Sequence, residues 1–387
     1  MPVKLGVGML GYGFMGRAHT NAFKKAGYIF YPLPAETELV AICGRNEAGV
    51  REAAARYGYQ KWTTDWQEMV ADEDIHIFDN TGANDIHCEP SVAALRAGKH
   101  VIVEKPLALN LAEARRMYQA AVEAEGRGQK HIVAFNYRFA PALRLARRII
   151  AEGRLGRIYQ FRSAYLLERL SDPLVPFFWR LSKDKAGSGA LGDLNSHAID
   201  MLRFLLQTEV QSVQAWNHTF NCQRPDGSGQ MCTVDVDDAS LMWVRLDNGA
   251  MASLEASKVA TGYKTMWRLE VHGSEGALVF DLSRGNELQF YSKSDSLYLQ
   301  GMRTIHVLEP EAHDYAKYWW PRGHNLGWEH YHIHMIEHFL RCIATGEDVA
   351  PWGATFADGL RCQEVMEAAL TASEKGGWVE IEHTLPV

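Results

Sequence analysis

Three side chains carry most of the chemical interest. Lys105 follows the apolar run Val101-Ile102-Val103 and precedes Pro106, which fixes the local chain. Such a run reads as a buried parallel strand. In open α/β sheets ligands bind beyond the carboxyl ends of the strands, so Lys105 is expected to point into a cofactor crevice. Asp193 and His197 stand four residues apart in the segment 187–200. On a helix that spacing puts both on one face, while Leu191, Leu194, Ala198, Met201, Leu202 and Leu205 seat the helix. A lysine, a carboxylate and an imidazole with an ordinary pKa of ~6.5 are groups suited to proton transfer and oxyanion stabilisation near neutral pH.

The glycines supply a second signal. Gly6-x-Gly8-x-x-Gly11 and Gly11-x-Gly13-x-x-Gly16 both fit a GxGxxG pattern. The first lies inside an apolar strand. The second starts at the strand end and opens a helix, the context in which the pattern binds a dinucleotide. Gly11 would make the tight turn, and Gly13 would admit a pyrophosphate. Gly16 would let helix and strand pack closely, with Phe14 and Met15 between them at the helix N-terminus. The expected acid for a ribose 2′-hydroxyl is missing from the second strand, which ends Ile42-Cys43-Gly44-Arg45-Asn46. Arg45 could meet the 2′-phosphate of NADP or lie on the adenine of either cofactor. The cofactor expected is NAD or NADP, with a slight lean to NADP.

The surrounding elements fit these roles. Through residue 140, strand-like segments (Val3–Leu10, 38–43, 75–79, His100–Val103, 131–135) alternate with helix-like ones (16–26, Glu47–Tyr57, 90–97, Leu111–Glu125). That alternation implies βαβ units and a parallel sheet. Helices are then expected over 142–152 and 189–206. From about residue 210 short strands dominate (240–246, 250–257, 267–272, 277–281, 287–291), with the hairpin signal Asp247-Asn248-Gly249 between two of them. Helices return over 329–345 and Phe356–Lys375. The expected fold class is an α/β Rossmann domain with a parallel sheet (1–140), followed by an α+β domain with a large, mainly antiparallel sheet (141–387).

Composition bounds the partners. A chain of 387 residues points to two or three domains at ~150 residues each. With 40 Lys plus Arg against 47 Asp plus Glu, the net charge of −7 argues against nucleic-acid binding. No run approaches the ~18 apolar residues of a membrane span. Six cysteines without a CxxC pair read as reduced thiols, and the glycine-rich start makes a poor signal peptide, so a cytoplasmic protein is expected.

Taken together, the Gly11 fingerprint, Ala97-Gly98-Lys99-His100-Val101, Glu104-Lys105-Pro106, the Asp193-x-x-x-His197 helix and the late strands resemble the Gfo/Idh/MocA family over nearly the whole chain. The segments around Trp179-Arg180 and 187–193 are similar to its levoglucosan dehydrogenase branch. The resemblance implies NAD(P)-dependent oxidation of a sugar or cyclitol hydroxyl. It implies that Lys105, Asp193 and His197 surround the reacting carbon. His197 would be the general base, Lys105 would hydrogen-bond the reacting oxygen, and Asp193 would orient the substrate. One departure is the segment 81–87, from Thr81 to His87, which lacks the family's usual Thr-Pro and is one residue longer. Thr81, His87 and Glu104 are expected beside the cofactor.

Substrate contacts are expected from Tyr137 and Arg138 after the fifth strand, from Trp179, Arg180 and Lys183, and from His324 and Asn325 in a later loop. His330, His334 and His338 share a helix face, but without HExxH or a cysteine partner they read as a polar face or pocket wall. No metal is expected. A homo-oligomer is expected because the late sheet would expose a broad face. Two other functions stay open. One is an NAD-dependent glycosidase working by transient oxidation and elimination. The other is a non-catalytic sensor, which the presence of all three chemical residues disfavours.

Overall fold

The structure is a computed structural model and describes residues 2–310 and 313–385. The chain forms two compact units. The first takes the residues up to Phe139 together with Gly327–Leu360. Its strands are β1 (Val3–Leu10), β2 (Ala35–Cys43), β3 (Lys61–Thr63), β4 (Ile77–Asn80), β5 (His100–Val103) and β6 (His131–Val133). Between them run α1 (Phe14–Ile29), α2 (Glu47–Tyr57), α3 (Trp66–Ala71), α4 (Cys88–Arg96) and α5 (Leu111–Glu125). Among the described residues the sheet is six-stranded in the order β3-β2-β1-β4-β5-β6, with every pair parallel. That is the Rossmann order, with its crevice where the order reverses beside β1. β1 is buried from Leu5 onward and β4 throughout, as strands covered on both faces require. Asn46 caps α2 and Asn110 caps α5 by accepting the Gly49 and Glu113 amides.

The first stretch of this unit ends at Phe139, where strand–helix alternation stops, and a later segment returns to it. Its later contribution is α9 (Trp328–Thr345) and the segment after it, which precedes most of α10 (Phe356–Lys375). Before α9 come the helices α6 (Pro141–Ala151), α7 (Lys183–Ala186) and α8 (Ser196–Leu206) of the second unit. α9 packs on α1, with Phe14 stacked on Trp328 at 5.1 Å and Phe30 edge-on to His334 at 5.9 Å. The Val133 amide donates to the Ala354 carbonyl at 2.8 Å, so the returning chain covers the edge of β6.

The second unit holds residues Ala140–Leu326 and those from Arg361 onward. Its strands are β7 (Ile158–Leu166), β8 (Val210–His218), β9 (Gln223–Pro225), β10 (Met231–Thr233), β11 (Ala239–Leu246), β12 (Met251–Ser257), β13 (Met266–Gly273), β14 (Gly276–Asp281), β15 (Glu287–Ser292), β16 (Arg303–His306) and β17 (Val379–Glu380). Among the described residues, β9 and β10 form a separate hairpin. The other nine make one sheet, β16-β15-β14-β13-β7-β12-β11-β8-β17. β7 lies at its centre, antiparallel to β13 and parallel to β12, and the remaining pairs are antiparallel. The mainly antiparallel sheet expected from sequence is therefore present, built around a strand that sequence reading did not find.

Trp267 organises the helix side of this sheet. It is fully buried, pairs directly with Tyr165 across β13 and β7, and stacks on that ring at 5.2 Å. Its indole N–H donates to Ser163 Oγ at 3.0 Å. Trp267→Ala should lower the unfolding free energy by ~3–5 kcal/mol, through lost burial and the cavity left behind. Denaturant titration checks this. Trp267→Phe should recover part of the loss but leave the Ser163 hydroxyl without its donor.

Candidate functional site

The dinucleotide fingerprint is built as a cradle for an anion. Gly11 has φ of 100°, in the left-handed region open to glycine. A Cβ on Gly16 would lie 2.1 Å from the Gly11 carbonyl oxygen, so glycine is required there for α1 to pack against the β1 turn. Gly13 is different. A Cβ there would meet no protein atom within 4 Å, so the missing side chain leaves room outside the protein. Gly13 is also the N-cap of α1, which has no side-chain cap and no acid in its first turn. Amides with no protein acceptor, positive dipole and open space together fit a pyrophosphate. Thr81 closes the base of the turn, its hydroxyl donating to the Leu10 carbonyl at 2.9 Å. Phe14 is 62% exposed and Met15 half-buried beside this cradle, and Arg45 is exposed beyond β2.

Below the cradle lies a buried charged cluster. His19, on α1 and 0% exposed, has Nδ1 at 2.9 and 3.1 Å from the two Asp79 oxygens and Nε2 at 3.0 Å from Glu104 Oε1. Carboxylate oxygens accept, so an imidazole using both nitrogens this way donates twice and is a cation. Burial pulls the His19 pKa down, but Asp79 and Glu104 together outweigh it and push it up to about 10. Burial would raise the Glu104 carboxyl, yet His19 and Lys105 hold it well below the usual carboxylate range. The other Glu104 oxygen accepts the Lys105 amide at 3.2 Å.

These contacts revise two expectations. Glu104 is engaged on both oxygens inside the protein rather than turned to a cofactor. His87 is fully buried, with Nδ1 2.9 Å from the Pro106 carbonyl and Nε2 3.3 Å from that of Gly82. It ties the loop after β4 to the loop after β5, and burial holds its pKa down. Lys105 itself is half-buried.

In the second unit, Asp193 lies in a π-helical turn, Leu191–Asn195, and His197 in the first turn of α8. Sequence spacing predicts a regular helix here; the widened turn, a device frequent at functional sites, sets the offset between the two side chains instead. Asp237 anchors its start. Its buried carboxylate accepts the Gly189 amide at 2.7 Å and the Leu191 amide at 2.8 Å. Burial raises its pKa, against the opposing effect of those two bonds. A Cβ on Gly189 would lie 1.7 Å from the Asp237 carbonyl oxygen, so this approach requires glycine.

Asp193 faces two cations. Lys258, 5% exposed, reaches it at 3.2 Å, and Arg180 stands 4.0 Å away while stacking over Trp179 at 4.1 Å. The turn carrying Trp179 and Arg180 is seated by Leu181 in a small core with Leu170, Val234 and Val236. The His197 ring lies 6.1 Å from both Tyr165 and Trp267.

The other expected substrate residues divide. Lys183 is exposed at the start of α7, and His324 and Asn325 are exposed in the loop before α9, where His324 donates to the Pro321 carbonyl at 2.7 Å. Tyr137 is buried against Tyr331 at 6.1 Å. Arg138 departs from expectation: it is 3% exposed, paired with Asp358 at 3.2 Å and donating to the Gly353 carbonyl, so its charge is used inside the first unit.

The α9 histidines are structural. His330 accepts the Gly327 amide, His334 donates to the Phe139 carbonyl and His338 to that of Val349. Among the described residues no group of three His, Cys, Asp or Glu could hold a metal ion. Sequence reading missed His19, Asp79, Asp237 and Lys258. The one available signal was His19, three residues after Gly16 and so one helical turn along α1.

The model of an oxidoreductase family with an NAD-binding Rossmann fold matches residues 5–130, and that of the GFO/IDH/MocA C-terminal domain matches residues 143–279. The chain belongs to the GFO/IDH/MocA oxidoreductase family. Levoglucosan dehydrogenase of Pseudarthrobacter phenanthrenivorans is a relative 38% identical over 391 aligned positions, covering 97% of this chain and 98% of the relative. A levoglucosan dehydrogenase solved in complex with NADH and levoglucosan is 39% identical, with a TM-score of 0.92, covering 98% and 100% of the two chains. An oxidoreductase domain protein from Kribbella flavida is 40% identical, with a TM-score of 0.95, over 98% of this chain and 100% of the other. The family expected from the motifs is thereby shown.

The charged cluster gives this family member a pH signature. A raised imidazole pKa stabilises the fold fully below the unfolded value of ~6.5 and progressively less as pH rises toward the folded value. Between pH 7 and 8.5 the unfolding free energy should fall by about 2 kcal/mol. His19→Gln should flatten that slope in denaturant titrations. His87, whose pKa is depressed, acts on the acid side and leaves this window clear.

Proposed function

We propose that the chain oxidises a ring hydroxyl of a neutral sugar of the levoglucosan type, with NAD(P) as hydride acceptor. The chain is an NAD(P)-dependent sugar or cyclitol dehydrogenase; the sugar is the further step. The observation that carries it is the Asp193 environment. Lys258 and Arg180 face that carboxylate, an arrangement that suits it as an acceptor for sugar hydroxyls. Near-complete coverage of the levoglucosan dehydrogenase relative supports the substrate class.

Bound nicotinamide supplies the two-electron acceptor at C4. His197 takes the hydroxyl proton, its ring held by Tyr165 and Trp267. Lys105 donates a hydrogen bond to the reacting oxygen and favours its alkoxide character. Asp193 fixes the neighbouring hydroxyls, and Trp179 with Arg180 offers a stacked ring and donor for the sugar face. Gly11, Gly13 and Gly16 admit the pyrophosphate. Arg45 supports acceptance of the NADP 2′-phosphate, whereas the NADH-bound relatives support NAD.

A second copy of the chain is the further partner. Trp216, Leu241, Trp243 and Met251 are exposed on one face of the nine-stranded sheet, with Trp216 directly opposite Leu241. That apolar surface supports a homo-oligomer. Among the described residues no helix is long and apolar enough to cross a membrane. Six free thiols support a reducing, cytoplasmic setting.

Purified protein should reduce NAD or NADP with levoglucosan in a panel of sugars, glycosides and inositols. His197→Ala and Lys105→Ala should each cost about 10²-fold or more in kcat. Arg45→Ala should lower kcat/KM for NADP about tenfold more than for NAD. Glycoside cleavage without net cofactor reduction would replace this reading with the redox-assisted glycosidase. In light scattering, Trp243→Glu should shift the particle toward monomer.

A further inference from the structure

Lys105 has no secondary structure of its own to hold it. It follows β5 by two residues, and its amide bonds not to a neighbouring strand but to the side chain of Glu104. Glu104 is in turn fixed by His19, and His19 belongs to the helix whose N-terminus forms the pyrophosphate cradle. The path from cradle to lysine is one α1 turn, one imidazole and one carboxylate. The imidazole is 0% and the carboxylate residue 6% exposed.

The far side of the imidazole is equally defined. Asp79, on β4 and 0% exposed, takes Nδ1 through both oxygens. His332 of α9 lies 5.3 Å from His19, ring to ring, and neither of its nitrogens has a hydrogen-bond partner among the described residues. It makes an edge contact with Trp328 at 4.3 Å, and Trp328 stacks on Phe14 of the cradle. α1, β4, the β5 loop and α9 therefore meet at one ring that cannot shift without breaking a charge-assisted bond in a dry interior. Leaving either carboxylate unpaired there costs several kcal/mol.

We propose that His19 is a positioning residue for Lys105, a strut by which the dinucleotide-binding helix holds the catalytic lysine in register. The inference rests on the reading of Lys105 as donor to the reacting oxygen. A strut of this kind acts on turnover without contacting sugar or cofactor. Removing it leaves the phosphate cradle, built from backbone amides and glycines, in place, and frees the Lys105 loop. Displacement of a reacting group by about 1 Å costs about 10²-fold in rate. Loss of a hydrogen-bonded supporting partner behind an active group costs about 10- to 100-fold.

The test compares wild type, His19→Phe, His19→Gln, Glu104→Gln and Lys105→Ala as full-length protein. NAD(H) titration gives both the affinity and the number of competent sites, and kcat is expressed per bound dinucleotide. That normalisation removes losses from partial unfolding, which a merely structural role would produce. For His19→Phe we expect kcat per site to fall about 10- to 100-fold, with dinucleotide affinity within about threefold and sugar KM nearly unchanged. His19→Gln, which keeps a donor but not the charge, should fall between. Glu104→Gln should resemble His19→Phe. Unchanged kcat per site in His19→Phe or Glu104→Gln overturns the proposal, as does loss of dinucleotide binding in both variants, which would make the cluster a fold element only. If Lys105→Ala alone keeps full turnover, the reading of Lys105 fails first, and the strut has nothing to position.

Discussion

A cation sealed from water must be surrounded by acceptors, and His19 satisfies that requirement with two carboxylates, one on β4 and one in the loop after β5. The constraint runs both ways. Asp79 and Glu104 tolerate burial only with a cation between them, and the imidazole keeps its proton only with both of them present. α1 cannot rotate, β4 cannot slide and the loop after β5 cannot peel away without exposing an uncompensated charge. Apolar packing alone would tolerate small adjustments among the same elements, because dispersion contacts are individually weak and non-directional. The fingerprint, the lysine loop and α9 take their mutual placement from this one site.

The second unit solves a similar problem with different means. Asp237 is also a buried carboxylate, but its partners are the amides at the start of the π turn, together with nearby Lys258. Asp193 is then left facing Lys258 and Arg180. In both units an internal charge fixes the backbone next to a residue proposed for the chemistry.

What the sequence made legible follows from the range of the physics involved. The fingerprint, the parallel sheet and the family resemblance rest on local spacing. Gly11, Gly13 and Gly16 sit within one turn, and Val101 to Pro106 is a single strand end. Lys105, Asp193 and His197 could be named from such patterns. β3, three residues long, carries no usable period, and β7 lies between two helices with mixed polar and apolar residues on both faces. Arg138 is expected as a ligand contact because it follows the fifth strand into the crevice. Its partner Asp358 is 220 positions away, and such pairing leaves no trace in local pattern. The roles of His19, Asp79 and Lys258 were hidden for the same reason: each is defined by a partner that only folding brings near. The return of residues 327–360 to the first unit was hidden likewise, since α9 is an ordinary amphipathic helix until its contacts with α1 are seen.

The borrowed helix has a bearing on how the protein comes into being. Asn21 and Glu329, joined by a hydrogen bond in the finished first unit, are 308 positions apart. Nascent chains emerge at ~5–20 residues per second, and domains ordinarily fold in the order they appear. Here the amino-terminal sheet forms early while the α1 surface that α9 will cover remains wet and apolar. Throughout that interval the half-made unit presents Phe30 and its neighbours to the cell. Its completion waits for the ribosome's arrival at the last sixth of the message, so synthesis speed and chaperone supply bear on yield alongside intrinsic stability.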